Sequence, residues 1–183
     1  MVYKRGDKMP EDIRITKIKQ NSGNKQYVLE CVKEHGELLE FADEELRDDK
    51  EIALVAIKSN PEALEFVSDR LKGDREVVYN SVSKVGWTYC YAKENLLEDK
   101  ELLLAGLEIN GQILYFSNKE MRDDKDVVLT AVKNKPIIIK FASNRLREDK
   151  EIALEAIKKD KHCYEFLGEN IKNDEDILAI ING

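Results

Sequence analysis

Asp49-Lys50-Glu51-Ile52-Ala53-Leu54-Val55-Ala56-Ile57-Lys58 returns one hundred residues later, at Asp149 to Lys158, as DKEIALEAIK with one change in ten. Weaker copies open at Asp74, Asp99 and Asp124, and a truncated copy opens at Asp174. The spacing is 25 residues each time, without insertion or deletion. Self-similarity at a fixed period of this size is the signature of a repeat architecture. Six whole units, numbered zero to five, start at 24, 49, 74, 99, 124 and 149, and a half unit runs from 174 to Gly183.

The columns of the repeat define its elements. Position 1 reads Asn24, Asp49, Asp74, Asp99, Asp124, Asp149, Asp174. Asp and Asn cap helix N-termini by accepting orphan backbone N–H bonds. Position 3 is mostly acidic, which suits the positive end of the helix dipole. Positions 4, 5, 6, 8 and 9 are mostly apolar, as in Ile152, Ala153, Leu154, Ala156 and Ile157, which is a helical period with a wide stripe. Position 8 stays small (Cys31, Ala56, Ser81, Gly106, Ala131, Ala156), so another backbone is expected to pass close by there. Position 13 is Gly36, Pro61, Gly86, Gly111, Pro136 and then Lys161. Gly can end a helix in the left-handed conformation, and Pro fits the first turn of a new one. Helix A should therefore stop near position 11 and a shorter helix B should follow. Helix B carries an apolar position 16 and an aromatic position 18 without exception: Phe41, Phe66, Tyr91, Phe116, Phe141, Phe166. Position 20 often offers a cap (Asp43, Ser68, Asn118, Ser143), so positions 21 to 24 are expected to form a last tight turn, α or 3₁₀.

One unit cannot bury these side chains alone. Each large one is worth roughly 1.5–3 kcal/mol when buried, against chain entropy of order 1–2 kcal/mol per residue. Stability must come from interfaces between neighbours, as in a solenoid. The expected fold is all-α, an α-solenoid of tandem 25-residue helix-turn-helix repeats. A right-handed superhelix is the default expectation, although no residue fixes the hand.

The pattern D-K-E-(I/V)-x-L-x-A-(I/V)-K-x-(N/G)-x-x-x-L-x-(F/Y)-A-S resembles the domain of unknown function 4116 family, most closely at Asp49 to Leu71 and Asp124 to Leu146. The resemblance covers Asn24 to Gly183, about three tandem pairs of units. Unit two departs most: Tyr79 stands for Leu, Ser81 for Ala and Ser83 for Lys. The resemblance implies a helical repeat and carries no activity. A weaker likeness, to leucine-rich-variant repeats, implies alternating α and 3₁₀ helices.

At 183 residues, with three Pro and no charge block, the chain has the length of one domain or one array. The net charge of −7 disfavours nucleic acid and anionic membranes as partners. There is no secretory apolar segment at Met1 to Gln20 and no apolar run of membrane-spanning length. Three cysteines, an odd number, fit a reducing compartment, so the expected location is cytoplasmic. Residues 1–23 lie outside the repeat and are expected to cover one end of the stack. At the other end the half unit (Ile177, Leu178, Ile180, Ile181) has no helix B. It is itself a cap, or part of a longer array, or a surface for self-association.

No catalytic, cofactor or metal signature is present. His35 and His162 are five units apart and cannot converge in a stack, which removes a Ser-His-Asp site and most zinc sites. The acidic pairs Asp48-Asp49, Asp123-Asp124 and Glu148-Asp149 recur where a helix cap is needed rather than clustering around a turn glycine, as a calcium loop would. The basic column at position 2 (Lys25, Lys50, Arg75, Lys100, Lys125, Lys150) sits between acids, a self-neutralised helix end rather than a phosphate-tracking face. The order at position 22 (Glu45, Arg70, Asn95, Glu120, Arg145, Asn170) has no account from the sequence.

The most informative columns are those where polarity fails mid-array. Position 14 runs Glu37, Glu62, Trp87, Gln112, Ile137, His162, and position 17 runs Glu40, Glu65, Cys90, Tyr115, Lys140, Glu165. Columns that hold Glu in several units should face solvent. Trp87, Ile109, Tyr115 and Ile137 are therefore the candidate partner-binding residues, the alternative being extra core. The expected role is non-enzymatic, without cofactor, binding a protein or peptide. The competing expectation is a structural spacer or assembly segment.

Overall fold

The computed structural model describes residues 13–183, so the part of the expected N-terminal cover at 1–12 lies outside the described residues. Among the described residues all regular structure is helical. A leading helix, α1 (Ile13–Gln20), buries Ile18 and packs on the first unit. The long helices then follow one per unit: α2 (Lys25–Glu34), α4 (Lys50–Ser59), α6 (Arg75–Val82), α7 (Lys100–Ile109), α8 (Lys125–Asn134) and α10 (Lys150–Lys159), with α11 (Glu175–Asn182) in the half unit. Each occupies positions 2 to 11, except α6 and α11, which are shorter. Short helices α3 (Glu44–Arg47), α5 (Asp69–Lys72) and α9 (Asn144–Arg147) fill positions 21 to 24 of units zero, one and four, and 3₁₀ turns stand near there in the others.

Helix B is the principal departure from expectation. It is a 3₁₀ helix throughout: Gly36–Phe41, Pro61–Glu65, Gly86–Tyr91, Gly111–Phe116, Pro136–Phe141 and Lys161–Phe166. At three residues per turn, side chains at i and i+3 eclipse one another. Positions 13, 16 and 19 then form one row, filled by Gly36, Leu39 and Ala42 in unit zero, and all three are buried. Positions 14 and 17 form the solvent row. Positions 15 and 18 form the third, in which 15 is buried and the aromatic at 18 stays half-exposed. The alternation of α and 3₁₀ helices is that of the weaker likeness.

The position 13 glycines have a role other than the left-handed stop expected of them. None has a positive φ. Instead, a Cβ on Gly36, Gly86 or Gly111 would strike the carbonyl oxygen at position 8 of the next unit: Ala56, Gly106 or Ala131. This is the close passage that the small column at position 8 announces, made between a 3₁₀ helix and the following helix A. Unit two adapts it with polar atoms. Buried Ser81 Oγ lies 2.7 Å from the Pro61 carbonyl and 2.7 Å from Thr88 Oγ1, which donates to the Val85 carbonyl at 2.8 Å.

Two further contacts join each unit to the next. Every position 1 side chain accepts from the first turn of its helix. Its other oxygen, where it is Asp, takes the position 2 cation of the unit before. Lys50 Nζ is 2.8 Å from both Asp74 and Glu76, and Lys100 Nζ is 2.8 Å from Asp124 and 2.9 Å from Asp126. The basic column is thus neutralised as expected, but across the junction rather than within its own helix. The N–H at position 20 donates to the carbonyl at position 24 of the preceding unit at Ser68, Lys93, Ser143 and Gly168, and that of Asp43 donates to Ser22, ahead of the first unit. The core is one continuous cluster running from Ile18 to Ile177.

Candidate apolar cleft on the 3₁₀ face

Consecutive 3₁₀ helices pack side by side along the array. Their solvent rows therefore make one face. Its chemistry changes from unit to unit because positions 14 and 17 do. In units zero and one it is acidic: Glu37, Glu40, Glu62 and Glu65 are all exposed. In unit two it becomes aromatic. Trp87 is 36% exposed, and its ring stands edge-on to Tyr91 with centroids 5.5 Å apart. Burial and a hydrogen bond to Glu65 push the Tyr91 hydroxyl well above its ordinary value, so the phenol stays a neutral donor across the junction between units one and two.

Between the 3₁₀ helices of units three and four lies a cleft of about 380 Å³. Tyr115, Phe116, Ile137, Ile138 and Phe141 supply its apolar walls, and Gln112 and Lys140 its polar edge. Tyr115 is 58% and Phe116 48% exposed. The Tyr115 ring meets Phe116 at 5.2 Å and Phe141, in the next unit, at 5.1 Å, both edge-on. Such edge-on packing holds aromatic walls in place without closing the space between them. Lys140 Nζ lies 5.0 Å from the Phe141 centroid and 6.0 Å from that of Phe166, which fixes a cation at the far side of the cleft.

The four residues singled out from sequence separate here. Tyr115 and Ile137 share the cleft, with Ile137 half-buried in its wall rather than fully exposed, because it lies in the first turn of the 3₁₀ helix Pro136–Phe141 and packs against the core. Trp87 occupies the register of Ile137 two units earlier. Ile109 is 51% exposed but ends α7 and lines no part of the cleft. Phe116 and Phe141, which the sequence reading assigned to the core, are walls of the cleft. The signal that could have found them is the invariant aromatic at position 18 combined with a three-residue period.

Other features offer less. A larger depression of about 690 Å³ between α2 and α4 has an apolar floor at Leu29 and Val55 edged by Gln26, Glu30, Lys33 and Lys58, and no aromatic wall. His35 contacts Arg14 and His162 contacts Asp160, with no common neighbourhood. Among the described residues no three His, Cys, Asp or Glu gather as a metal site would require. The cysteines are free, and burial pushes the Cys163 thiol up to about 11 and that of Cys90 upward as well, the opposite of activation. Among the described residues no helix is long and apolar enough to cross a membrane.

Stacked 25-residue units of one α and one 3₁₀ helix, joined through neighbours alone, define an all-α helical repeat protein. Three successive segments, 24–72, 74–122 and 124–172, match the family described as Domain of unknown function (DUF4116), and the chain belongs to that family. Each match spans a pair of units. No curated protein and no solved structure matches the chain.

Proposed function

We propose that the chain is a non-enzymatic binding module, an α-solenoid in overall form, whose 3₁₀ face holds a segment of a protein partner. The observation that carries this reading is the aromatic cleft between units three and four, exposed on a face that is acidic in units zero and one. Apolar residues open to water at positions where other units place Glu cost solubility, and rigid Tyr and Phe walls are the usual anchors of interfaces. The reading includes no nucleic acid, membrane or cofactor, and a cytoplasmic setting in which free thiols persist.

A pull-down from lysate of the source cells tests it, comparing wild type with a Trp87→Glu/Tyr115→Glu/Ile137→Glu variant of unchanged helical circular dichroism. Loss of a bound protein from the folded variant is expected. Identical bound sets overturn the reading.

A second reading, self-assembly through the half unit, is supported by exposed Leu178 and half-buried Ile180 and Ile181 on α11. A concentration-dependent mass by light scattering, abolished by Leu178→Glu, would favour it.

A further inference from the structure

Two sets of acids differ in their partners. Those at positions 1 and 3 of each helix A from unit one onward are clamped by a lysine or arginine of the preceding unit. Those on the 3₁₀ face are not. Glu40, Glu62 and Glu65 have no lysine or arginine ion pair among the described residues, and Glu37 has only His35, at 3.5 Å. These four carboxylates occupy adjacent units on the face that leads toward the aromatic cleft, and the side-by-side packing of successive 3₁₀ helices makes the two regions continuous. Lys140 stands on the opposite side of the cleft. Toward the cleft the face is therefore graded: acidic at units zero and one, apolar in units two to four, with Lys140 at the far wall and Glu165 exposed beyond it in unit five.

We infer that the partner segment is an extended peptide with an apolar or aromatic anchor for the Tyr115–Phe141 cleft and a cluster of Lys or Arg lying over Glu37, Glu40, Glu62 and Glu65. This rests on the binding-module reading and adds the chemistry and orientation of the occupant. Units spaced by about 8–10 Å and an extended chain rising about 3.3 Å per residue put roughly three peptide residues over each unit. The basic cluster then lies about six to nine residues from the anchor, two to three units away. Lys140 repels cations next to the anchor, so the basic end points toward unit zero. Complementary charge of this kind speeds encounter and fixes register, while the apolar anchor supplies the hold.

The test is selection of displayed random linear peptides, about sixteen residues long so as to span the five units from zero to four, on immobilised full-length protein. Selected peptides are then titrated against three folded proteins: wild type, Glu40→Lys/Glu62→Lys and Tyr115→Glu/Ile137→Glu. The charge variant spares Glu65, whose carboxylate acts on the Tyr91 hydroxyl. The expected consensus pairs an apolar anchor with a distant basic cluster. Its affinity should fall about tenfold in the charge variant and in raised salt, and vanish in the cleft variant. Peptides without basic residues that still lose binding in the cleft variant overturn the inference and leave the binding module standing. No enrichment, or binding indifferent to both variants, overturns both. A wild-type dimer broken by the cleft variant also overturns it, because the occupant is then a second copy.

Discussion

Gly111 and Gly168 separate two kinds of glycine that sequence alone makes look alike. A Cβ on Gly111 would lie 2.5 Å from the Ala131 backbone oxygen, which cannot move without shifting α8. A Cβ on Gly168 would press on the side chain of Glu148, which can yield only by loosening its bonds to Ile171 N and Asn170. Gly111→Ala should cost about 1–3 kcal/mol, as overpacking does, and Gly168→Ala about 1 kcal/mol, the worth of one such cap. Urea midpoints of the two variants check this. The column at position 22, obscure in the sequence, is also explained at this scale. Its residue meets position 25 of the unit before: Arg70 on Asp48, Arg145 on Asp123, Asn95 on the Gly73 carbonyl and Asn170 on Glu148. Only Glu120 stands opposite a like charge by register, Glu98. Glu120→Arg should therefore raise stability, by no more than about 1 kcal/mol, and the gain should disappear in high salt.

At the scale of the element, the short turn at positions 21 to 24 is capped from position 20 in some units, although its type does not follow the cap: Asp43 makes no side-chain cap bond and α3 forms, whereas Asn118 accepts from Met121 N and a 3₁₀ turn follows. Ser143 Oγ accepts from Leu146 N at 3.2 Å and donates to Asp123 of the preceding unit. Ser143→Ala should cost about 1 kcal/mol, the usual worth of such a cap, read from the thermal midpoint. Lys93 gives the equivalent turn no cap, and there the chain forms a 3₁₀ turn, Glu94–Leu96. Helix A was legible from sequence because its signals are redundant: a carboxylate cap, an acid two residues on and an apolar stripe all agree on α4 and α10. Helix B was placed correctly but its type was not. Five or six residues are too few for a period of 3.6 to be told from one of 3.0. That single ambiguity hid half of the cleft. Read as α, Phe116 and Phe141 turn inward; read as 3₁₀, they eclipse position 15 and edge the surface. Tyr115 and Ile137 were found because a different argument applied, the Glu of neighbouring units at the same positions. Ile109 was misgrouped because it belongs to helix A, where exposure does not bring it to the 3₁₀ face.

For the whole molecule, every junction carries the same carboxylate clamp, so acid should act on all of them together. Burial pushes Asp74, Asp99, Asp124 and Asp149 upward, but the cation of the preceding unit and the backbone donors outweigh it and hold each below the ordinary 3.8. For Asp49 and Asp174 the lysine bond is the largest influence, in the same direction. A depressed folded-state value contributes stability that is complete above the unfolded value and lost as pH falls through it. The urea midpoint should be flat from neutral pH to about 5 and fall steeply below about 4. Because units touch only their neighbours, opening should begin at the ends. Hydrogen exchange should therefore be slowest in α7 and α8 and fastest in α11. Uniform protection along the array would show a cooperativity that neighbour contacts do not supply.

The lysine at position 2 reaches for Asp and an acid that recur in every following unit, so it does not distinguish one successor from another. Removing residues 74–98 would set Lys50 before Asp99 and Glu101, a pair of the kind it already grips in Asp74 and Glu76. Copy number in such a chain is thus free to drift by whole units under recombination, with each ancestral junction healed by the same three side chains. The position 22 and 25 pairs are the part that remembers order: Arg70 and Arg145 each sit behind an Asp, and shuffling units would leave those cations facing the wrong neighbour.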